Sequence, residues 1–175
     1  MKIGAQFYTI RDYCKNLDDF AESLKKVADI GYTTVQISGT CAYEAEWLAE
    51  QLKATGLTCG ITHFNYDRIV KDTEKVVAEH NTFGCRHIGI GGFFGGVAGL
   101  PKFVEEAKPA AQKIHALGSQ FMYHNHNWEY ESKLDDGRND GYVTEFDKSG
   151  NFNNIRPAHY SGVRTVCRLY DLSEV

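Results

Sequence analysis

No stretch of the 175 residues comes near the roughly 20 consecutive apolar residues that cross a bilayer as a helix. The N-terminus reads directly as a strand, without the apolar region of a secretory leader, so no signal peptide is expected. Paired CxxC spacing is missing as well. The five cysteines, Cys14, Cys41, Cys59, Cys85 and Cys167, are scattered and odd in number. That argues against a zinc knuckle or a disulfide frame, and reduced thiols in a cytoplasmic protein are expected. Positive charge is not in excess: 19 Lys and Arg stand against 23 Asp and Glu, a net charge of -4. No general attraction to nucleic acid or to an anionic membrane is therefore expected. What remains, 42% hydrophobic and 24% charged residues, is an ordinary globular composition, long enough for one domain with a core.

The first part of the chain repeats one unit. Ile3 to Phe7 reads as a strand. Asn16 then serves as an N-cap, and Leu17, Phe20, Ala21, Leu24, Val27 and Ala28 form a helical stripe stopped at Gly31. Thr34 to Ile37 is a second strand, succeeded by the stripe Ala45, Leu48, Ala49 and Leu52, which stops at Gly56. Leu57 to Thr62 is a third strand, and Ile69, Val76 and Val77 mark a helix ending near Gly84. His87 to Ile90 is a fourth strand. Pro101 is expected to open a fourth helix carrying Phe103, Val104, Ala107, Ala111, Ile114 and Leu117, with Pro109 kinking it or ending its first segment and Gly118 as the stop. Gln120 to His124 is the fifth strand. Strands recurring about every 30 residues with helices between them are the mark of a parallel sheet. Both a closed (β/α)8 barrel and an open doubly wound sheet fit. A dinucleotide turn does not: Gly89-Ile90-Gly91-Gly92-Phe93-Phe94 puts Phe94 where the last glycine is needed. This glycine-rich loop is either a phosphate cradle or a plain connection.

Polar residues gather at the strand ends. Gln6 and Arg11 come after strand one, Gln36 and Ser38 close strand two, His63 ends strand three, and His124 and His126 end strand five. In a barrel these ends converge on the C-terminal face, where active sites lie. The run QFMYHNHNWEY, residues 120–130, is the most informative. Alternate residues of an extended chain share a face, so His124 and His126 point the same way. Two imidazoles so placed are able to ligate a divalent metal or to move protons near neutral pH; equally, they are polar residues closing a strand at water.

KIGAQFYTIRD at the start, GITHFNYD after strand three and YHNHNWEYE after strand five resemble the sugar phosphate isomerase/epimerase family, the xylose isomerase-like TIM barrels. The resemblance covers roughly residues 1–137. It implies a (β/α)8 barrel holding Mn, Mg, Co or Zn and acting on a small-molecule sugar or sugar phosphate by proton transfer beside a carbonyl. It implies His124, with His126 as the alternative, as a metal ligand, His63 and His126 as catalytic residues lining the sugar site, and Gln6, Arg11 and Gln36 as substrate-binding residues. Family members hold the metal with side chains from strands five to eight, and only the strand-five ligand has a counterpart here. A distant branch of the family cleaves abasic DNA, a reading that the acidic balance disfavours. The letters HNH also match a nuclease motif, but that motif sits on a ββα hairpin rather than a parallel sheet.

After Gly137 the pattern stops. A complete barrel needs about 250 residues, and its last three strands do not fit in the 138–175 segment. The expected fold is therefore α/β: an incomplete TIM barrel of about five parallel strands and four helices over residues 1–137, then an irregular tail, 138–175. The tail reads as a natural terminus, a fragment or the product of a frameshift near Arg138. Codons for RNDGYVTEF read one base later give GMMDMLLN, and those for NIRPAHYSG give TFGLLITLE, a helix-like and a strand-like segment. An open barrel is expected to expose an apolar interior and to self-associate through its unpaired sheet edges. It is also expected to show impaired turnover. The non-enzyme alternative is a half-barrel that binds a metal or a partner, or is a remnant.

Overall fold

A computed structural model describes residues 4–124, 126, 142–143 and 156–157. Five parallel strands form one sheet in the order β1-β2-β3-β4-β5: Gly4–Gln6, Thr34–Ile37, Thr58–His63, His87–Ile90 and Gln120–Tyr123. Each strand lies beside the one before it. A doubly wound sheet reverses its order at a switch point, whereas a barrel adds strands in one direction, so this order selects the barrel path. The five expected strands match within a residue or two at their ends. Two further two-residue strands, β6 (Tyr142–Val143) and β7 (Arg156–Pro157), pair antiparallel with each other. The remainder of the expected tail lies outside the described residues, as does Cys167.

The helices obey their capping signals. In α1 (Leu17–Ile30), the Asn16 side chain accepts from the Asp19 N–H at 2.9 Å, and Gly31 closes the helix at φ +109°. α2 spans Ala45–Thr55 and ends at Gly56. The single third helix expected between strands three and four is instead two, α3 (Tyr66–Lys71) and α4 (Thr73–Thr82). Non-helical Asp72 breaks them, while the Thr73 hydroxyl donates to the Ile69 carbonyl at 2.7 Å across the break. A 3-10 segment, Phe7–Tyr13, has no counterpart among the expected elements.

The last helix departs most from expectation. α5 starts at Gly96, ahead of Pro101, and continues through Pro109 to Ala116 as one element. Pro109 is on its exposed side, where the carbonyl that proline leaves without a helix donor is open to solvent. Leu117 lies beyond the helix end and is exposed rather than inward-facing, and Leu17 is likewise exposed at the start of α1.

The helices pack one side of the sheet in two clusters. Phe7, Phe20, Leu24, Val35, Ile37, Leu48 and Leu52 join α1 and α2 to the first strands. Ile69, Val76, Ile88, Ile90, Phe103, Ile114 and Phe121 join α3, α4 and α5 to the later ones. Since Val35 and Ile37 point into the helical layer, their neighbours Thr34 and Gln36 face the other side, the interior of the barrel. That face is not the apolar surface expected of an open barrel. It carries Thr34, Gln36, His63, His87 and His124, with Ile61 and Met122 as its larger apolar groups. Large exposed apolar side chains among the described residues, such as Tyr13, Ile30 and Phe94, all lie off the strands. No helix among the described residues is long and apolar enough to cross a membrane. Cys14, Cys59 and Cys85 are buried free thiols and Cys41 is half-buried.

Candidate functional site

The interior face gathers its histidines at the C-terminal end of the sheet. His63, the last residue of β3, stands edge-on to His124, one residue beyond β5, with ring centroids 5.0 Å apart and an 80° angle between planes. The rings of His124 and His126 are 4.9 Å apart. The two strands that carry these residues are not neighbours. β4 separates them, and it is followed by Gly91 and Gly92, which have no side chains to stand against the rings. A methyl group on Gly91 would lie 3.3 Å from His63 Nδ1, and one on Gly92, at φ +136°, only 2.7 Å from His126 Cε1. The glycines after strand four therefore let backbone close directly on the histidines. The loop is tied down where the Phe93 N–H donates to the Tyr123 hydroxyl at 3.1 Å. Phe94, largely exposed, packs its ring 5.6 Å from that of His126.

Both ring nitrogens of His63 are engaged. The Gln36 amide nitrogen is 2.6 Å from Nε2, and Ser38 Oγ is 3.0 Å from Nδ1. An amide N–H only donates, so Nε2 accepts, and Nδ1 carries the proton that it donates to Ser38. Burial, and after it the neighbouring His124 and His126, brings the His63 pKa down to about 4. The same causes, burial and then His126, lower that of His124. Both rings are accordingly neutral at pH 7, the form in which imidazole accepts protons or binds metals.

Of the residues singled out in the sequence, Gln36, His63, His124 and His126 come together. Gln6 sits one strand away, paired in register with Gln36. Arg11 is elsewhere in its described contacts: its guanidinium donates to the Tyr8 carbonyl at 2.8 Å and covers the Tyr8 ring at 4.5 Å. Ser38, another strand-end residue singled out in the sequence, joins the cluster through His63, but its bond to that ring and the closeness of the Gly91–Gly92 backbone are not legible there. The signals available there are a hydroxyl two residues after Gln36 and a pair of glycines at a strand end. Glu129, a carboxylate in the YHNHNWEYE run, lies outside the described residues. Among the described residues, no three His, Cys, Asp or Glu side chains are arranged to hold a metal ion. A separate surface depression of about 360 Å³, lined by Leu52, Leu57, Thr58, Cys59 and Phe83, lies at the opposite end of β3, away from the histidines.

No family model matches the sequence, and no curated protein matches it. Solved structures do resemble it in fold. A sugar phosphate isomerase/epimerase from Parabacteroides distasonis superposes with a TM-score of 0.60 at 19% identity, over 76% of this chain and 53% of that one. An AP endonuclease, family 2, from Brucella melitensis gives 0.54 at 16% identity, over 71% and 55%. A xylose isomerase domain containing protein from Salmonella typhimurium gives 0.51 at 14% identity, over 69% and 48%. This chain thus spans about half the length of the structures it matches. Over the described residues, the architecture is that of an incomplete TIM barrel.

Proposed function

We propose that this chain is built for sugar isomerase or epimerase chemistry, the movement of a proton beside the carbonyl of a sugar or sugar phosphate. One observation carries the reading. His63, His124 and His126 converge with Gln36 at the C-terminal end of a singly wound parallel sheet, where barrel folds of this kind place their chemistry. The reaction removes a proton from the carbon next to the carbonyl, leaves an enediolate, and returns a proton at the neighbouring carbon or on the other face. His126, at the outer end of the cluster beside Phe94, is the candidate to exchange that proton, and Gln6 and Arg11 are candidates for binding sugar hydroxyls or a phosphate.

A divalent metal (Mn, Mg, Co or Zn) would polarise the carbonyl when bound. His124 is the residue to hold it, but the donor set is incomplete. His63 already uses both nitrogens, and no three ligating side chains converge among the described residues. The described residues do not make a complete metal site, so weak metal binding and little or no turnover are expected of them. The same observation favours a second reading, a non-catalytic half-barrel that binds a metal or a partner.

Titration with Co²⁺ and Mn²⁺, combined with an epimerisation assay across aldoses, ketoses and their phosphates, separates the two readings. Weak metal binding that falls at least about tenfold in His124→Ala supports the assigned ligand. Tight stoichiometric binding without turnover supports the binding module. Turnover that survives both EDTA and loss of His124 would overturn the metal assignment.

A further inference from the structure

We propose that Gln36 and Ser38 are positioning residues: together they fix His63 in one tautomer, with its proton on Nδ1, and so hold that ring as a wall against His124. Ser38 has no part in the chemistry argued above, and Gln36 takes a different part from that of a substrate contact. The inference rests on reading the histidine cluster as the site.

Gln36 is the next-to-last residue of β2, and Ser38 lies just past the strand end. Their polar atoms bracket the ring of His63 from opposite sides, at 2.6 Å on Nε2 and 3.0 Å on Nδ1. The two contacts differ in what they dictate. A hydroxyl donates or accepts as its partner requires, but an amide N–H only donates. The placement of the Gln36 amide nitrogen, rather than its oxygen, against Nε2 therefore sets the tautomer, and Ser38, only 3% exposed, conforms to it. Turning the ring over would exchange each nitrogen for a carbon and break both hydrogen bonds. The Gly91 backbone bounds the ring on a further side, since a methyl group there would be 3.3 Å from Nδ1. His124 meets this held ring edge-on. His63 then has no nitrogen left for a metal or a substrate, and chemistry at the cluster falls to His124 and His126.

The test is a nitrogen-15 NMR measurement of histidine tautomers in the full-length chain at neutral pH. His63 should show a bare Nε2 and a protonated Nδ1. Gln36→Glu replaces the donor with an acceptor of nearly the same shape, so the bare Nε2 signal should be lost and a protonated one should appear. Ser38→Ala, which removes the acceptor for Nδ1–H but leaves the Gln36 donor, should keep Nε2 bare while shifting the Nδ1 and His124 resonances, and Ser38→Thr should restore the wild-type pattern. A wild-type ring protonated on Nε2 would overturn the proposal, as would a Gln36→Glu ring that stays bare there. Should Gln36→Glu fail to fold, the wild-type spectrum and the Ser38 pair decide alone. No outcome depends on turnover: an inactive chain with the stated tautomer sinks the enzymatic reading only, and an active chain with the other tautomer sinks this proposal only.

Discussion

His80 shows what a single buried imidazole does to this fold. It is fully buried in α4, Nδ1 donates to the Val76 carbonyl at 2.7 Å, and Nε2 accepts from the Thr62 hydroxyl at 2.8 Å. Every polar atom is satisfied with the ring neutral, and burial is what opposes a second ring proton. Burial brings its pKa from 6.5 to about 4, as it does, with the help of its two histidine neighbours, for His63. The sign comes from proton counting. Between these values the unfolded chain binds protons that the folded chain excludes, so stability is full above about pH 6.5 and declines as the pH falls toward 4. Each histidine contributes up to about 3 kcal/mol to that decline. Melting temperature measured across this range should fall steadily. His80→Gln, which keeps a donor and an acceptor but does not titrate, should flatten the slope by about half. A melting temperature unchanged from pH 6.5 to 4 would show that the buried rings are already charged or are not buried in solution.

At the scale of an element, the loop from β4 into α5 offers a controlled comparison. Gly92 and Gly96 both have positive φ, at +136° and +65°, but only Gly92 is crowded. Alanine at Gly96 meets nothing within 4 Å and bears only the left-handed backbone penalty, about 1 kcal/mol. Alanine at Gly92 would add a methyl group 2.7 Å from the His126 ring, so either the loop or the histidine has to move. Gly92→Ala should therefore destabilise by about 2–3 kcal/mol and displace the His126 resonances, whereas Gly96→Ala leaves them in place. Equal shifts in both variants would mean that the loop does not touch the site. This loop also marks the limit of what is legible in the sequence. Strand positions, the Asn16 cap and the Gly31 and Gly56 stops can be read because they depend on residues a few places apart. The break at Asp72 cannot, because helical periodicity continues across it and tertiary packing decides where the chain bends. The pairing of His124 with His126 is local and legible. The meeting of His63 with His124 is not, for it crosses β4, which is followed by glycines without side chains to stand against the rings.

At the scale of the whole molecule, what matters is that the barrel path of the described residues runs from β1 to β5 and leaves two sheet edges. Among the described residues, β1 and β5 each have one neighbour in the sheet, so each is an edge strand. Such edges template pairing with another chain. An apolar interior would drive association through the face instead. Here the interior is polar, with Thr34, Gln36, His63, His87 and His124 on it, and it gives little hydrophobic drive. Association should then proceed edge to edge, be held by backbone hydrogen bonds, and respond to charge placed at an edge. The Gln120 N–H donates to the Arg86 carbonyl and that of His124 to the Ile90 carbonyl, so β5 is held to β4 along its whole length and its other side is the edge. Gln120 is exposed at the start of that strand and Met122 faces the interior from it. Lysine at both positions adds edge charge without removing a core side chain. Sedimentation velocity on the wild-type chain should show dimers or larger species growing with concentration. The Gln120→Lys, Met122→Lys variant should shift that distribution at least about tenfold in concentration toward monomer, equivalent to roughly 1.4 kcal/mol, with its far-UV circular dichroism unchanged. A wild-type chain that sediments as monomer at every concentration and melts cooperatively would mean that the edges are covered from within the chain, and the half-barrel would then stand as a self-sufficient domain.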